Sequence, residues 1–173
     1  MLKFITDNFE SIITFVGFFA TYFITKYSCK REIEKLRKEK MLEKIEPIPF
    51  KLLELMYKIQ KNTNNKHILN TYTDNFAEIL HTILAYCSID AIKIASYIQE
   101  MSYKNSFKNW ELLCSYSILV SQLKFDLTGE HVSPEFYFKM KINDYSEKMA
   151  AQVKHDNNKI IKQLNLSEKF LIK

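Results

Sequence analysis

Asp126, Thr128, Glu130 and His131 fall within six residues of each other, in the stretch LKFDLTGEHVSPEFYFKMKINDY that runs from Leu123 to Tyr145. Two carboxylates, a hydroxyl and an imidazole this close together could contact a small ligand or a metal. The imidazole could also carry a proton near neutral pH. An enzyme built on this corner would use Asp126, Glu130 or His131. The flanking residues point to a plainer role. Thr128 and Gly129 are suited to end one helix, and Ser133-Pro134-Glu135 to start the next, with Ser as cap and Pro in the first turn. Polar groups at such a corner satisfy the free backbone ends of both helices. We therefore take the corner first as a structural joint and second as a ligand site.

Other constellations that carry chemistry are missing from the sequence. Gly17 and Gly129 are the only glycines, so there is no Gly-rich phosphate loop. Neither His-Glu-x-x-His nor Cys-x-x-Cys occurs, and His67, His81, His131 and His155 stand apart from one another. Arg31 and Arg37 are the only arginines. The chain beyond them therefore has no guanidinium for a bidentate phosphate clamp. Cys29, Cys87 and Cys114 are odd in number and scattered, which reads as free thiols in a reducing compartment. We expect no catalytic residue, no metal and no cofactor, and a protein that is not an enzyme.

The elements that would position the corner are helical. Two glycines and three prolines in 173 residues leave few turns for short strands. Apolar residues recur at helical spacing: Phe76, Ile79, Leu80, Ile83, Leu84 and Cys87 on one helix, Ile92, Ala95, Ile98 and Met101 on another. Expected helices cover roughly 50–61, 73–88, a third capped by Asp90, and a fourth capped by Ser106 that stops at Gly129. The last helix or helices run to about Leu164. NTNNK at 62–66 reads as a polar loop. This is an all-α bundle of five or six helices over 50–173.

Ahead of the bundle, residues 1–27 read as a single transmembrane helix, N-terminus outside. The uncharged run Ser11–Thr25 has 15 residues. At about 1.5 Å per residue it spans about 22 Å, short of a hydrocarbon core of about 30 Å. Spanning requires counting from Phe4, with Asp7 and Glu10 at the outer edge. Residues 28–46 continue as a charged juxtamembrane helix, and Pro47 to Pro49 form a short extended hinge. Residues 26–44 carry eight basic and four acidic side chains. Lys26, Lys30, Arg31, Lys35, Arg37 and Lys38 would meet anionic lipid head groups and hold that side in the cytoplasm. Because the net charge of +5 sits mostly there, nucleic acid is not an expected partner.

Asp7, Glu10, Thr14, Gly17, Thr21, Thr25 and Ser28 recur at steps of three or four and share one helix face. Small and hydroxylated residues allow close approach and hydrogen bonding between helices in lipid. The face is either a packing seam in a dimer or a pore lining in a larger oligomer, with an acidic ring at its mouth.

A leading membrane helix, a charged flank, and the set Asp126, Thr128, Gly129, Pro134 and Asp144-Tyr145 resemble small single-pass bacterial proteins of unknown function found at mobile-element and phage-defence loci. That resemblance implies a place at phage-defence loci and names no mechanism. The polar seam, the basic flank and the missing catalytic constellation point to a non-enzymatic effector or sensor at the inner membrane, with membrane permeation as its sharper form. The expected partners are membrane lipids, further copies of the chain, and a cytoplasmic protein or small molecule. A membrane-tethered scaffold without channel activity is the alternative, and an enzyme with an unrecognised helical site the second.

Overall fold

A computed structural model describes residues 9–61, 66–104 and 110–173, with side chains for 13–58, 76–104 and 110–173. Among the described residues there are helices and no strands. In chain order they are α1 (Phe9–Ile45), α2 (Ile48–Lys61), α3 (Lys66–Tyr86), α4 (Ile89–Tyr103), α5 (Glu111–Thr128), α6 (Glu135–Lys141) and α7 (Glu147–Gln163). A 3₁₀ turn, Glu168–Phe170, follows. The all-α expectation holds, with six helices after α1.

Packing divides the chain into two units, Met1–Met41 and Leu42–Lys173. The division falls inside α1, which is one uninterrupted helix of 37 residues. The expected transmembrane helix over 1–27 is not supported: among the described residues no helix is long and apolar enough to cross a membrane. The reason lies in α1 itself. Glu10 and Lys26 close off an uncharged run about 22 Å long, and the helix beyond Tyr27 is dense in Lys, Arg and Glu.

The extended Pro hinge is also replaced. Glu46 N–H donates to the Leu42 carbonyl at 2.8 Å, and Lys51 N–H to that of Pro47 at 3.1 Å. Pro47 sits in a tight turn, and Pro49 lies in the first turn of α2, where a missing N–H costs nothing. Ile45 and Ile48, on either side of the turn, are both buried in the core and anchor it.

In Leu42–Lys173, α5 is the central element and packs against α2, α4 and α7. From Cys114 to Leu119, and again from Ser121 to Leu123, every residue of α5 is buried. The polar residues of this run are small or paired: Ser115, Ser117 and Ser121 are short, and Gln122 bonds to Ser88 and Asp126. The hydroxyls of Ser115 and Ser117 turn back to the carbonyls of Glu111 at 2.7 Å and Cys114 at 2.9 Å. α2 and α3 contribute Leu52, Met56, Phe76 and Ile83, and α4 contributes Ile94 and Ile98.

Helix ends follow local chemistry, with two revisions. Pro134, not Ser133, holds the cap position of α6, and no side chain caps it. The cap of α4 is Ser88 rather than Asp90: Ser88 Oγ accepts from Ala91 N–H at 3.2 Å. Asp90 lies in the first turn, where its charge suits the helix dipole, and pairs with Lys93 at 2.8 Å. The expected cap Ser106, the loop 62–65 and the side chains of Thr73 and Asp74 lie outside the described residues. α3 begins at Lys66, seven residues earlier than its apolar pattern suggests. The last segment divides, with α6 ending at Lys141 and Ser146 capping α7.

Candidate functional site

The corner after α5 is held together by its own polar groups. Gly129 adopts the left-handed conformation (φ 74°), and its N–H donates to the Phe125 carbonyl at 2.8 Å. Thr128 Oγ1 donates to the Lys124 carbonyl at 2.9 Å and accepts from Glu130 N–H at 3.2 Å. Ser133 Oγ accepts from Glu135 N–H at 3.3 Å. Asp126 reaches across to α4: its carboxylate accepts from Ser88 N–H at 3.2 Å and from Gln122 Nε2 at 2.8 Å. Glu130 is exposed. His131 is half-buried, stacked on Phe125 with centroids 4.0 Å apart and 5.0 Å from the Phe170 ring. Burial, with help from Lys169, lowers its pKa. The four residues are neighbours in space, but Asp126 and Thr128 are engaged with helix ends and His131 with aromatic rings. Among the described residues no group of three or more His, Cys, Asp or Glu could hold a metal ion.

The thiols offer no nucleophile in the bundle. Burial, and then the nearby Asp126 carboxylate, push Cys87 up to about 12. Burial, then Asp156 and Glu111, push Cys114 up further. Both stay protonated at neutral pH, and a thiol is a far weaker nucleophile than a thiolate.

In α1, Thr14, Gly17, Thr21, Thr25 and Ser28 are all exposed. Asp7 lies outside the described residues, and of Glu10 only the backbone is described. Thr21 Oγ1 donates to the Gly17 carbonyl at 2.8 Å, so that hydroxyl is bonded within its own helix. A methyl group at Gly17 would meet no heavy atom within 4 Å. Lys26, Lys30, Arg31, Lys35, Arg37 and Lys38 are exposed. Lys26 lies over the Tyr22 ring at 5.9 Å and Arg31 over Tyr27 at 5.8 Å, while Lys35 pairs loosely with Glu39 at 3.8 Å. Around them every large apolar side chain is open. Phe18 is 72% exposed, and Phe15, Phe19, Phe23, Ile24 and Tyr27 are open in the same way.

A polar cluster that sequence reasoning missed sits on α7, in Asp156-Asn157-Asn158-Lys159. Four consecutive helical residues point in four directions about 100° apart, so at least one or two must face the core. Asp156 is buried: its carboxylate accepts from Trp110 N–H at 3.2 Å and from Gln152 Nε2 at 3.1 Å. Asn157 donates to the Phe170 carbonyl at 3.0 Å. Asn158 both donates to the Ile172 carbonyl and accepts from Ile172 N–H, each at 2.9 Å. Lys159 forms an ion pair with Glu111, which is 3% exposed. That hydrogen bond raises the Lys159 pKa, and burial followed by Glu111 raises that of Tyr97. The signal that could have found the cluster is an unbroken run of six polar residues, 154–159, between the buried apolar Val153 and the buried Ile160-Ile161 pair.

No family of known proteins, no curated protein and no solved structure matches this chain. Function must therefore be read from the two regions just described and from one groove. That groove lies between α3 and α4, has a volume of about 480 Å³, and is walled by Leu80, Ile83, Leu84, Ile92 and Tyr103. Its polar members are Ser96, Gln99 and Glu100, and Glu100 is paired with Lys104. They supply no convergent set that would define a ligand.

Proposed function

We propose that this protein is a non-enzymatic, membrane-attached effector or sensor. Residues 13–27 of α1 lie in lipid, the basic residues after them meet head groups on the cytoplasmic side, and the bundle Leu42–Lys173 meets a partner in water. One observation carries this reading: the run of large apolar side chains from Ile13 to Tyr27 is exposed on all sides. An apolar surface of that extent needs a cover, and lipid suits one with no flat or concave face. The cations stacked over Tyr22 and Tyr27 fit an interfacial position, with aromatic ring and charge together at head-group depth. A run this short is accommodated by local thinning of the bilayer, by snorkelling of its flanking cations or by assembly with other copies. Assembly would use the face of Thr14, Gly17, Thr21, Thr25 and Ser28. Phage defence by membrane permeation is the sharper form of the proposal.

A second reading, a membrane-tethered scaffold without permeation, draws support from Thr21. A hydroxyl bonded to its own helix leaves a drier face, better suited to packing than to lining a pore.

Vesicle flotation of the full chain tests the attachment. Co-flotation with vesicles containing anionic lipid is expected, and a chain that stays in the soluble fraction at every lipid composition would overturn it. Dye release from those vesicles separates the two readings: release supports permeation, and bound protein without release supports the scaffold.

A further inference from the structure

The segment after α7 folds back along that helix, and the turn that sends it there is well defined. Asn165 N–H donates to the Lys162 carbonyl at 3.2 Å and Leu166 N–H to that of Ile161 at 3.0 Å. Asn165 takes φ 51° between them. This is the paired-bond termination of a helix by a left-handed residue, with Asn where glycine is commonest. Ser167 then starts the 3₁₀ turn, its Oγ accepting from Lys169 N–H at 3.4 Å, and the chain runs on from Leu171 in extended form (φ −66°, ψ 134°).

The way α7 holds this segment is unlike the packing elsewhere in the bundle. Asn157 and Asn158 bond to its main chain, not to its side chains. Asn158 presents an amide that matches the N–H and C=O of one residue, Ile172, as a neighbouring strand would. Phe170 and Ile172, two residues apart, are buried, Leu171 between them is partly buried, and Lys169 and Lys173 on either side are exposed. Main-chain bonds combined with pockets for alternate side chains are how a sheet edge or groove recognises an extended peptide. His131 lies tilted against the Phe170 ring and is itself stacked on Phe125 of α5.

We propose that residues 166–173 are an exchangeable strap, and that the Asn157-Asn158 face of α7 is a peptide-binding groove for an extended segment with Phe and Ile two residues apart. The groove is filled in cis by the chain's own strap. It takes the same segment from a second copy when that strap lifts. The occupant in trans is identified by identity of contacts: an exchanged strap makes the same three main-chain bonds and fills the same two pockets, so no new surface is needed. Asn165 is the hinge, because the reversal of the chain is concentrated in its φ and ψ. The strap does not depend on membrane attachment, and its tests read the bundle alone.

Two measurements on the full chain decide this. In the unmodified protein, amide hydrogen exchange at Ile172 is expected to be at least about tenfold faster than at Leu119, because the strap opens without the bundle unfolding. Asn158→Ala should speed Ile172 by a further tenfold or so and leave Leu119 within about twofold. Equal exchange at Ile172 and Leu119 would overturn the proposal, since the segment would then open only when the whole bundle unfolds. A fluorescent peptide of residues 166–173 is then titrated into Phe170→Ala protein, whose own strap has lost its main anchor. Saturable binding is expected, at least about tenfold tighter than to the unmodified chain, and abolished in Asn158→Ala/Phe170→Ala. Folded Phe170→Ala protein, by circular dichroism, that takes up no peptide would also overturn it. If that variant does not fold, the exchange rates decide.

Discussion

Phe18 and Phe23 of α1 leave 72% and 61% of their surfaces open, while Asp156 and Asn157 of α7 leave 3% and 0%. The usual relation between polarity and burial is inverted in both regions, for opposite reasons. The large apolar residues from Ile13 to Tyr27 are exposed and do no work for the fold. They need a reason outside the bundle, and lipid is the one proposed. Asp156 and Asn157 are inside because each meets a specific counterpart, the Trp110 N–H and the Phe170 carbonyl, while Asn158 and Lys159 reach the Ile172 main chain and the Glu111 carboxylate from nearer the surface. Exposure without cover points to function, and burial against a specific polar partner points to architecture.

The contrast can be broken at its widest point. Phe18→Ser/Phe23→Ser should lower vesicle binding by roughly a thousandfold, about 4 kcal/mol for two lost aromatic side chains. The same pair should move the urea stability of the bundle by less than about 0.5 kcal/mol. A clear loss of stability would mean that α1 is covered within the protein, and the membrane reading would lose its basis.

Asp156→Ala acts in the reverse sense. It removes the acceptor for Trp110 N–H in a buried setting and should cost about 3 kcal/mol of unfolding free energy, with vesicle binding unchanged. A cost below about 1 kcal/mol would show that the α7 cluster tolerates loss of a member, and the distinction between the regions would blur.

Asn165 sharpens the comparison within α7 itself. Asn165→Gly should be close to neutral in chemical denaturation, whereas Asn165→Ala should cost about 1 kcal/mol, the penalty of a left-handed φ for a side chain with no local hydrogen bond. Equal effects would remove the turn from the account of the strap.

The smallest expected effect is with pH. The folded state lowers the pKa of His131, first by burial and then through Lys169. The unfolded chain therefore binds more protons just below the ordinary histidine value of about 6.5. This contribution to stability is fully present above that pH and is lost as pH falls below it. His131→Phe should flatten that part of the stability profile, and an unchanged acid slope would mean that another group sets it.

Legibility tracked the range of the interaction. Gly129 marks a helix end through a contact a few residues long and was readable, whereas the cap of α6 fell on Pro134 and not on Ser133. Ser88 over Asp90 was not readable, because Ser88 also bonds with Gln122 and lies against Asp126, more than thirty positions away. The corner residues Asp126, Thr128, Glu130 and His131 could be found by type, but whether they face a ligand or a helix end depends on α4 and Phe170. The strap 166–173 was invisible, since LSEKFLIK has no periodicity of its own and takes its shape from two asparagines on α7.

By itself the sequence determined the all-α class, the apolar run of α1 with its basic flank, and the stop at Gly129. All of these follow from composition and from forces acting within a turn or two of helix. Only the tertiary structure decided that α5 is enclosed, that the prolines make a turn anchored by Ile45 and Ile48, and that Asp156 and Asn157 of the α7 polar cluster are buried. A polar side chain can face water or the core at similar local cost, and the choice is made by whichever distant backbone group arrives to meet it.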